Sequence, residues 1–389
     1  MSWSDWTIDI YFSVAIEAVE SLTEVPDREL SSIIRKSIID CRRKSHLTYS
    51  EVMKLAKVKI GSFRALPVSS YAVLIDIDLD LPQESSVRRF KFGSVAIEVT
   101  SKLPKYMAGE HFENSWKSPY GIAPKRRFGW MIARCDARTE FEAASLAFEA
   151  FSVFTNVSNL VVKPWNILGG EQKPTTLFAQ GPYQYIFRGR KLVSDNWFNP
   201  NFREEYWKST KSDGEKFLNN SNSIRSAVSK LSDHPLREVL SSTLAMMGNG
   251  METHKLDERT LHYWTAIERL FSREGEKVPY DKIIKRATFL EKDRAEARMF
   301  LSHLASLRNQ RVHHGKSSQH HHQVLEYTAD LVSRFTFYLI FHGSDFADHA
   351  EFLEMAELPA DRKALNRRQK AIERRINFIE TKSHRNGQK

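Results

Sequence analysis

Cysteine is almost missing from this chain: Cys41 and Cys135 are the only two in 389 residues, far apart and in dissimilar surroundings. A disulfide framework or a cysteine zinc site needs several closely placed thiols, so both are excluded and two free thiols are expected. Missing too is any uninterrupted apolar run of about eighteen residues, the least a membrane-spanning helix needs. The opening Met1-Ser2-Trp3-Ser4-Asp5-Trp6 has neither the basic start nor the apolar stretch of a secretory leader. A cytoplasmic protein with no membrane partner is the expectation. No internal repeat is visible. What is there is ordinary for a folded protein, with 41% hydrophobic and 27% charged residues. The length allows two domains, each with its own core.

The net charge is +10, and it is unevenly spread. From Pro359 to Lys389 there are ten Lys or Arg against three Asp or Glu, so the last stretch alone carries +7. Such an end attracts polyanions, RNA among them, unless it is only a solvated helix. Leu365, Ile372, Ile376 and Ile379 form one apolar stripe there, while Arg367, Arg368, Lys370, Arg374 and Arg375 supply charge for phosphate contacts.

The first sixty residues read as helical, with Phe12, Ala15, Ile16, Val19 and Leu22 at helical spacing and Pro26 as a break. From Leu74 to Leu81 alternation predicts a strand with Asp76, Asp78 and Asp80 facing water; clustered carboxylates also fit a metal, but alternation alone accounts for them. Phe90 to Thr100 and Phe128 to Cys135 read as further strands. Thr139 and Glu142 make a capping box for a core helix lined by Phe141, Phe148, Phe151 and Phe154. Tyr106 to Arg127, with Lys117, Lys125, Arg126 and Arg127, reads as an exposed loop. The polar stretch from Ser194 to Leu231 marks a boundary, with Lys211-Ser212-Asp213-Gly214 and Asn219-Asn220-Ser221-Asn222-Ser223 as its signals.

Beyond it the pattern turns helical. Leu236, Val239, Leu240 and Met247 share a helix face after Pro235, and Gly248-Asn249-Gly250 is expected to end that helix. A second helix starts near Asp257 and carries Leu261, Trp264, Ile267 and Phe271. A third runs from about Arg294 through Phe300, Leu301, Leu304 and Leu307; a fourth carries Val324, Thr328, Leu331, Phe335 and Tyr338. Four amphipathic helices on short connections predict an antiparallel bundle.

Arg308 falls on the stripe of Leu301 and Leu304, so a guanidinium points where apolar groups point. It is either a structural ion pair or part of a site. His313 lies five residues further, about 140° round an ideal helix, so the two meet only if the helix unwinds between them or another copy contributes. Spacing alone does not single the pair out, since Arg298 and His303 share it. The distinguishing text is Leu307-Arg308-Asn309-Gln310-Arg311-Val312-His313-His314-Gly315, together with Tyr263-Trp264-Thr265-Ala266-Ile267-Glu268-Arg269-Leu270-Phe271 on an earlier helix.

On those residues the C-terminal part resembles the HEPN family of four-helix bundles that act on nucleotides and RNA, in its Apea-like branch. The likeness spans about residues 235 to 345. With the strands and helices read above, the expectation is an α+β protein: residues 1–230 a mixed α/β domain, 231–345 an all-α four-helix bundle, HEPN-like by this resemblance, and 346–389 a basic helical tail; the likeness further implies that residues 1–230 act as a sensor or regulatory domain with an unknown trigger. It implies a metal-independent endoribonuclease, a hydrolase of antiviral defence or stress, with no cofactor, acting on RNA as a homodimer or higher homo-oligomer built through the bundle. Arg308, Asn309, His313 and His314 would be catalytic, with Arg308 on the phosphate, Asn309 orienting the phosphate or the imidazole, and either histidine moving the proton of the 2′-hydroxyl. Arg311 would add a nucleic-acid contact, and Glu268 would position Arg308 unless it is simply exposed. Two alternatives stand beside this reading: a non-catalytic interaction module, and a metal-dependent hydrolase using the histidines of 313–322 with Glu326.

Overall fold

A computed structural model of the chain describes residues 25, 27–43, 48–82, 87–108, 129–162, 176–198, 211–253, 255–273, 275–314, 322–359 and 361–386. It is a mixed α+β protein whose described strands lie in the N-terminal half, up to Phe198, ahead of a helical C-terminal region. Contacts divide it into two compact units that meet in sequence at Ser232 and Asp233. The predicted helix through Phe12 to Leu22 lies outside the described residues.

The first unit opens with α1 (Asp27–Arg43) and α2 (Tyr49–Arg64), whose faces Leu30, Ile34, Ile38, Val52, Ala56, Ile60 and Phe63 make one core. Thr48 caps α2 by accepting the Glu51 N–H at 3.3 Å. Six strands follow: β1 (Ser69–Ile77), β2 (Arg88–Phe92), β3 (Val95–Thr100), β4 (Gly129–Ala137), β5 (Gln180–Arg188) and β6 (Lys191–Phe198). They form one sheet in the order β2-β3-β4-β1-β5-β6, with every pairing antiparallel. Gly93 and Gly189, at φ 55° and 60°, turn the β2–β3 and β5–β6 hairpins in a conformation that side-chain-bearing residues avoid.

Helices α3 (Glu140–Val162) and α4 (Lys211–Ser232) cover one face of this sheet. Phe90, Phe154 and Phe217 meet there, with ring centroids 4.6 to 6.2 Å apart. The predicted cap of α3 forms: Thr139 Oγ1 accepts the Glu142 N–H at 3.1 Å, and the Glu142 carboxylate returns to the Arg138 N–H at 2.5 Å. Phe151 and Phe154 are in the core, but Phe141 is exposed, because alanines 143, 144, 147 and 150 form the strip that lets α3 approach the strands. α3 is the one described helix long and apolar enough to span a membrane, and most of it is buried within the protein. On the other face Leu74, Trp130, Ile132, Tyr185 and Phe187 pack with Leu103, Tyr106 and Met107. The segment expected as an exposed loop therefore begins with Tyr106 half-buried and Met107 buried against the sheet. Its lysines and arginines from 117 to 127 lie outside the described residues.

One expectation fails here and another is refined, each for a physical reason. Asp76 and Asp78 do not face water; each is 1% exposed, because β1 is central, paired on both edges and covered on both faces. The carboxylate of Asp76 lies against Gly181, where an added Cβ would fall 1.8 Å from it. The polar stretch before residue 231 is not simply a linker, since β6 runs through its start and α4 through its end. Phe217, Ile224, Ala227, Val228 and Leu231 are fully buried at helical spacing among asparagines and serines.

The second unit holds α5 (Arg237–Glu252), α6 (Leu256–Phe271), α7 (Tyr280–Ala287), α8 (Arg294–His314), α9 (His322–His342), α10 (His349–Ala356) and α11 (Arg362–Asn386). α6 is central and packs against α5, α7, α8 and α9. It buries Tyr263, Trp264, Ile267, Leu270 and Phe271. Gly248-Asn249-Gly250 does not end α5. The helix continues to Glu252, and Gly250 sits where a Cβ would come within 2.7 Å of the Tyr263 ring. Gly250 serves close helix packing rather than termination.

Candidate active site

Asp293 starts α8 by accepting the N–H groups of Ala295 and Glu296 at 3.1 and 3.0 Å. The helix then buries Ala297, Leu301, Leu304, Ala305 and Leu307. Arg308 and Asn309 follow on the same helix and are half-buried, as the stripe of leucines requires. Both meet Tyr280, the first residue of α7. The Arg308 guanidinium carbon lies 5.8 Å from the centre of the Tyr280 ring, and the Tyr280 hydroxyl donates to Asn309 Oδ1 at 3.0 Å.

Tyr280 is itself held by Trp264, whose ring meets it edge-on at 5.1 Å, and the Trp264 indole N–H donates to Glu268 Oε1 at 2.5 Å. A run of contacts thus leads from Glu268 through Trp264 and Tyr280 to Arg308 and Asn309. Glu268 does not pair with Arg308 directly; it bonds the tryptophan one turn back. Among the described residues no carboxylate lies within ion-pair distance of Arg308. Arg286, a buried arginine of this unit, does form a structural ion pair: it holds Glu357 at 2.5 Å and donates to the Phe271 carbonyl at 2.8 Å. Sequence reasoning misses Tyr280. Its one local signal is a helix start after Pro279, and nothing there tells that an aromatic ring will reach a residue 28 positions away.

α8 runs unbroken through His314, so the helix does not unwind between Arg308 and position 313. Position 313 stays about 140° round the axis from 308 within one chain. The side chains of Arg311, His313 and His314, and the histidines at 320 and 321, lie outside the described residues, as does the side chain of His322. Glu326, the carboxylate nearest to them in sequence, is exposed on α9. No group of three metal-binding side chains occurs among the described residues. Arg367, Arg368, Lys370, Arg374 and Arg375 are all exposed on α11. Within the apolar stripe between them Leu365 is half-buried, Ile372 and Ile376 are 54% and 49% exposed, and the side chain of Ile379 lies outside the described residues.

A cavity of about 980 Å³ opens beside this run, lined by Glu238, Ser242, Thr265, Glu268, Arg269, Arg273 and His349 among others. Its charges nearly balance. His349 Nε2 donates to the Leu270 carbonyl at 2.9 Å, and burial holds its pKa below the ordinary histidine value. Glu268 belongs to both places, bonding Trp264 and facing the cavity. Comparison with protein-family models, with curated proteins and with solved structures finds no match to this chain.

Proposed function

We propose that the second unit is a metal-independent endoribonuclease of HEPN type, with α5, α6, α8 and α9 as its four-helix bundle, and that it acts in the cytoplasm as a defence or stress effector. The observation that carries this is the state of Arg308. Its guanidinium rests on an aromatic face, half-buried, with no carboxylate partner among the described residues. A cation–π contact leaves the N–H donors in the guanidinium plane uncommitted, as a phosphate-binding arginine needs. Asn309, fixed by the Tyr280 hydroxyl, stands beside it with its amide nitrogen available to a second phosphate oxygen.

The reaction needs a proton acceptor for the 2′-hydroxyl, and His313 or His314 supplies it. Because α8 stays helical through both, a histidine of one chain approaches the Arg308 phosphate site most directly from a second copy. The attacking 2′-oxygen forms a bond to phosphorus as the bond from phosphorus to the 5′-oxygen breaks, and the departing 5′-oxygen takes up a proton from a protonated histidine of the pair. The products are a 2′,3′-cyclic phosphate and a free 5′-hydroxyl. Arg308 stabilises the charge that grows on the non-bridging oxygens. Residues 1–230 would sense the trigger, and Arg311 with the exposed basic residues of α11 would hold RNA phosphates.

Purified protein should cleave RNA in excess EDTA, leave 2′,3′-cyclic ends, and spare a strand carrying 2′-deoxyribose at the cut site. Arg308→Ala and His313→Ala should each abolish cleavage with melting points within a few degrees of the parent. Activity lost in chelator and restored by zinc or manganese would move the chemistry to the histidine tract. Collapse of the fold on Arg308→Ala would make the arginine structural, leaving a non-catalytic interaction module.

A further inference from the structure

Helix α11 presents an amphipathic surface that the described residues of its own chain leave uncovered. Every described side chain from Asn366 to Asn377 is exposed, including Ile372 and Ile376 at 54% and 49%. Leu365, Gln369, Ile372 and Ile376 are spaced four, three and four, the a and d positions of a heptad with one polar core residue. In that register Arg368 takes a g position and Glu373 the e position five residues on. By sequence the frame continues to Ile379, with Arg375 and Glu380 again five apart. Arg367, Lys370 and Arg374 fall on the outer positions.

We infer that α11 associates with α11 of a second copy of this chain as a parallel, in-register coiled coil. The charge pattern chooses both partner and direction. In a parallel pair each g residue faces the e residue five positions later on the neighbour, so Arg368 meets Glu373 of the other copy, and the reverse. An antiparallel pair sets g against g and e against e, placing arginine on arginine and glutamate on glutamate. A single Gln at an a position fixes register in the same way, since a shifted pairing would bury it against isoleucine. The seam leaves Arg367, Lys370 and Arg374 outward, free for the phosphate contacts proposed above. This deepens the proposed function by naming a surface through which copies meet, and it stands or falls on association rather than on cleavage.

Cross-linking of the full-length protein tests it. Both native cysteines are buried, so new surface thiols can be followed against them. Under mild oxidation Ile372→Cys, at a d position, should link nearly all chains into disulfide dimers, while Arg374→Cys, on the outer face, should stay unlinked at the same protein concentration. Both replacements sit at exposed positions, where the fold is not at stake. Adding Glu373→Arg to Ile372→Cys should slow linkage about tenfold by setting arginine against arginine, and adding Arg368→Glu as well should restore it. Equal linkage at 372 and 374, indifference to the charge reversals, or no linkage at 372 because the face seats on something else, would each overturn the inference.

Discussion

Tyr280 touches Arg308 with its ring and Asn309 with its hydroxyl, so the two interactions can be separated. Tyr280→Phe keeps the ring and removes one hydrogen bond worth about 1 kcal/mol, and should lower cleavage roughly fivefold without moving the melting point much. Tyr280→Ala should cost far more, since both interactions go and Trp264 loses its edge-on neighbour. Full activity in Tyr280→Phe would remove Asn309 from the mechanism. A second residue-scale expectation concerns pH. His234 Nδ1 accepts the Leu236 N–H at 3.0 Å, so the neutral ring carries its proton on Nε2 and donates it to the Leu339 carbonyl at 2.9 Å. Burial lowers its pKa from the ordinary 6.5, more than the bond to Leu339 raises it. Burial also lowers His262 and His349. An unfolded chain therefore binds more protons near and below that value, so these groups' contribution to stability is complete above about pH 6.5 and is lost as pH falls. Urea midpoints at pH 8 and pH 5.5 should differ less for His234→Asn than for the parent.

At the scale of elements, glycines mark close approach more often than chain termination. Gly214, in the first turn of α4, lies where a Cβ would be 1.8 Å from the Asp80 backbone carbonyl, and Gly250 abuts the Tyr263 ring where α5 packs on α6. Backbone cannot step aside as a flexible side chain can, so Gly214→Ala should destabilise the first unit by roughly 1–3 kcal/mol despite its better helix propensity. Gly250→Val should cost the second unit a similar amount, because the ring it meets is fully buried. Thermal melts of the two variants would settle this; unchanged curves would mean that both places relax freely. The capping box at Thr139 and the leucine stripe of α8 are legible in the sequence, since both rest on interactions within three to seven residues. The aspartates of β1 are not, because alternation reports a strand and is silent on whether its neighbours bury both faces.

For the whole molecule, the positive charge gathered on α11 is the property with the longest reach. Replacing Arg367, Arg368, Lys370, Arg374 and Arg375 with Gln should weaken RNA binding by all sequences alike and flatten its salt dependence by roughly 0.7 for each phosphate no longer neutralised. Turnover at saturating RNA should stay nearly the same, because Arg308 and Asn309 lie on α8, a different helix. An unchanged salt slope would mean that α11 is only solvated. Slower turnover would mean that association through α11 helps to build the site, since two of the five residues flank the proposed seam.

Local pattern alone determined the helices from Arg237 onward that carry long apolar stripes, the central strands, the helix that positions Arg308, and the amphipathic basic end. Periodicity and caps act over a few residues and are written in the chain. The short helices α7 and α10 are not legible there, being two turns each, too brief for a period to show. Tertiary structure alone decided that Asp76 and Asp78 are buried, that the asparagine-rich stretch is a core helix, and that Tyr280 rather than Glu268 meets Arg308. Each of these depends on which distant segment arrives alongside, and a side chain's surroundings are set by the neighbours that packing brings to it.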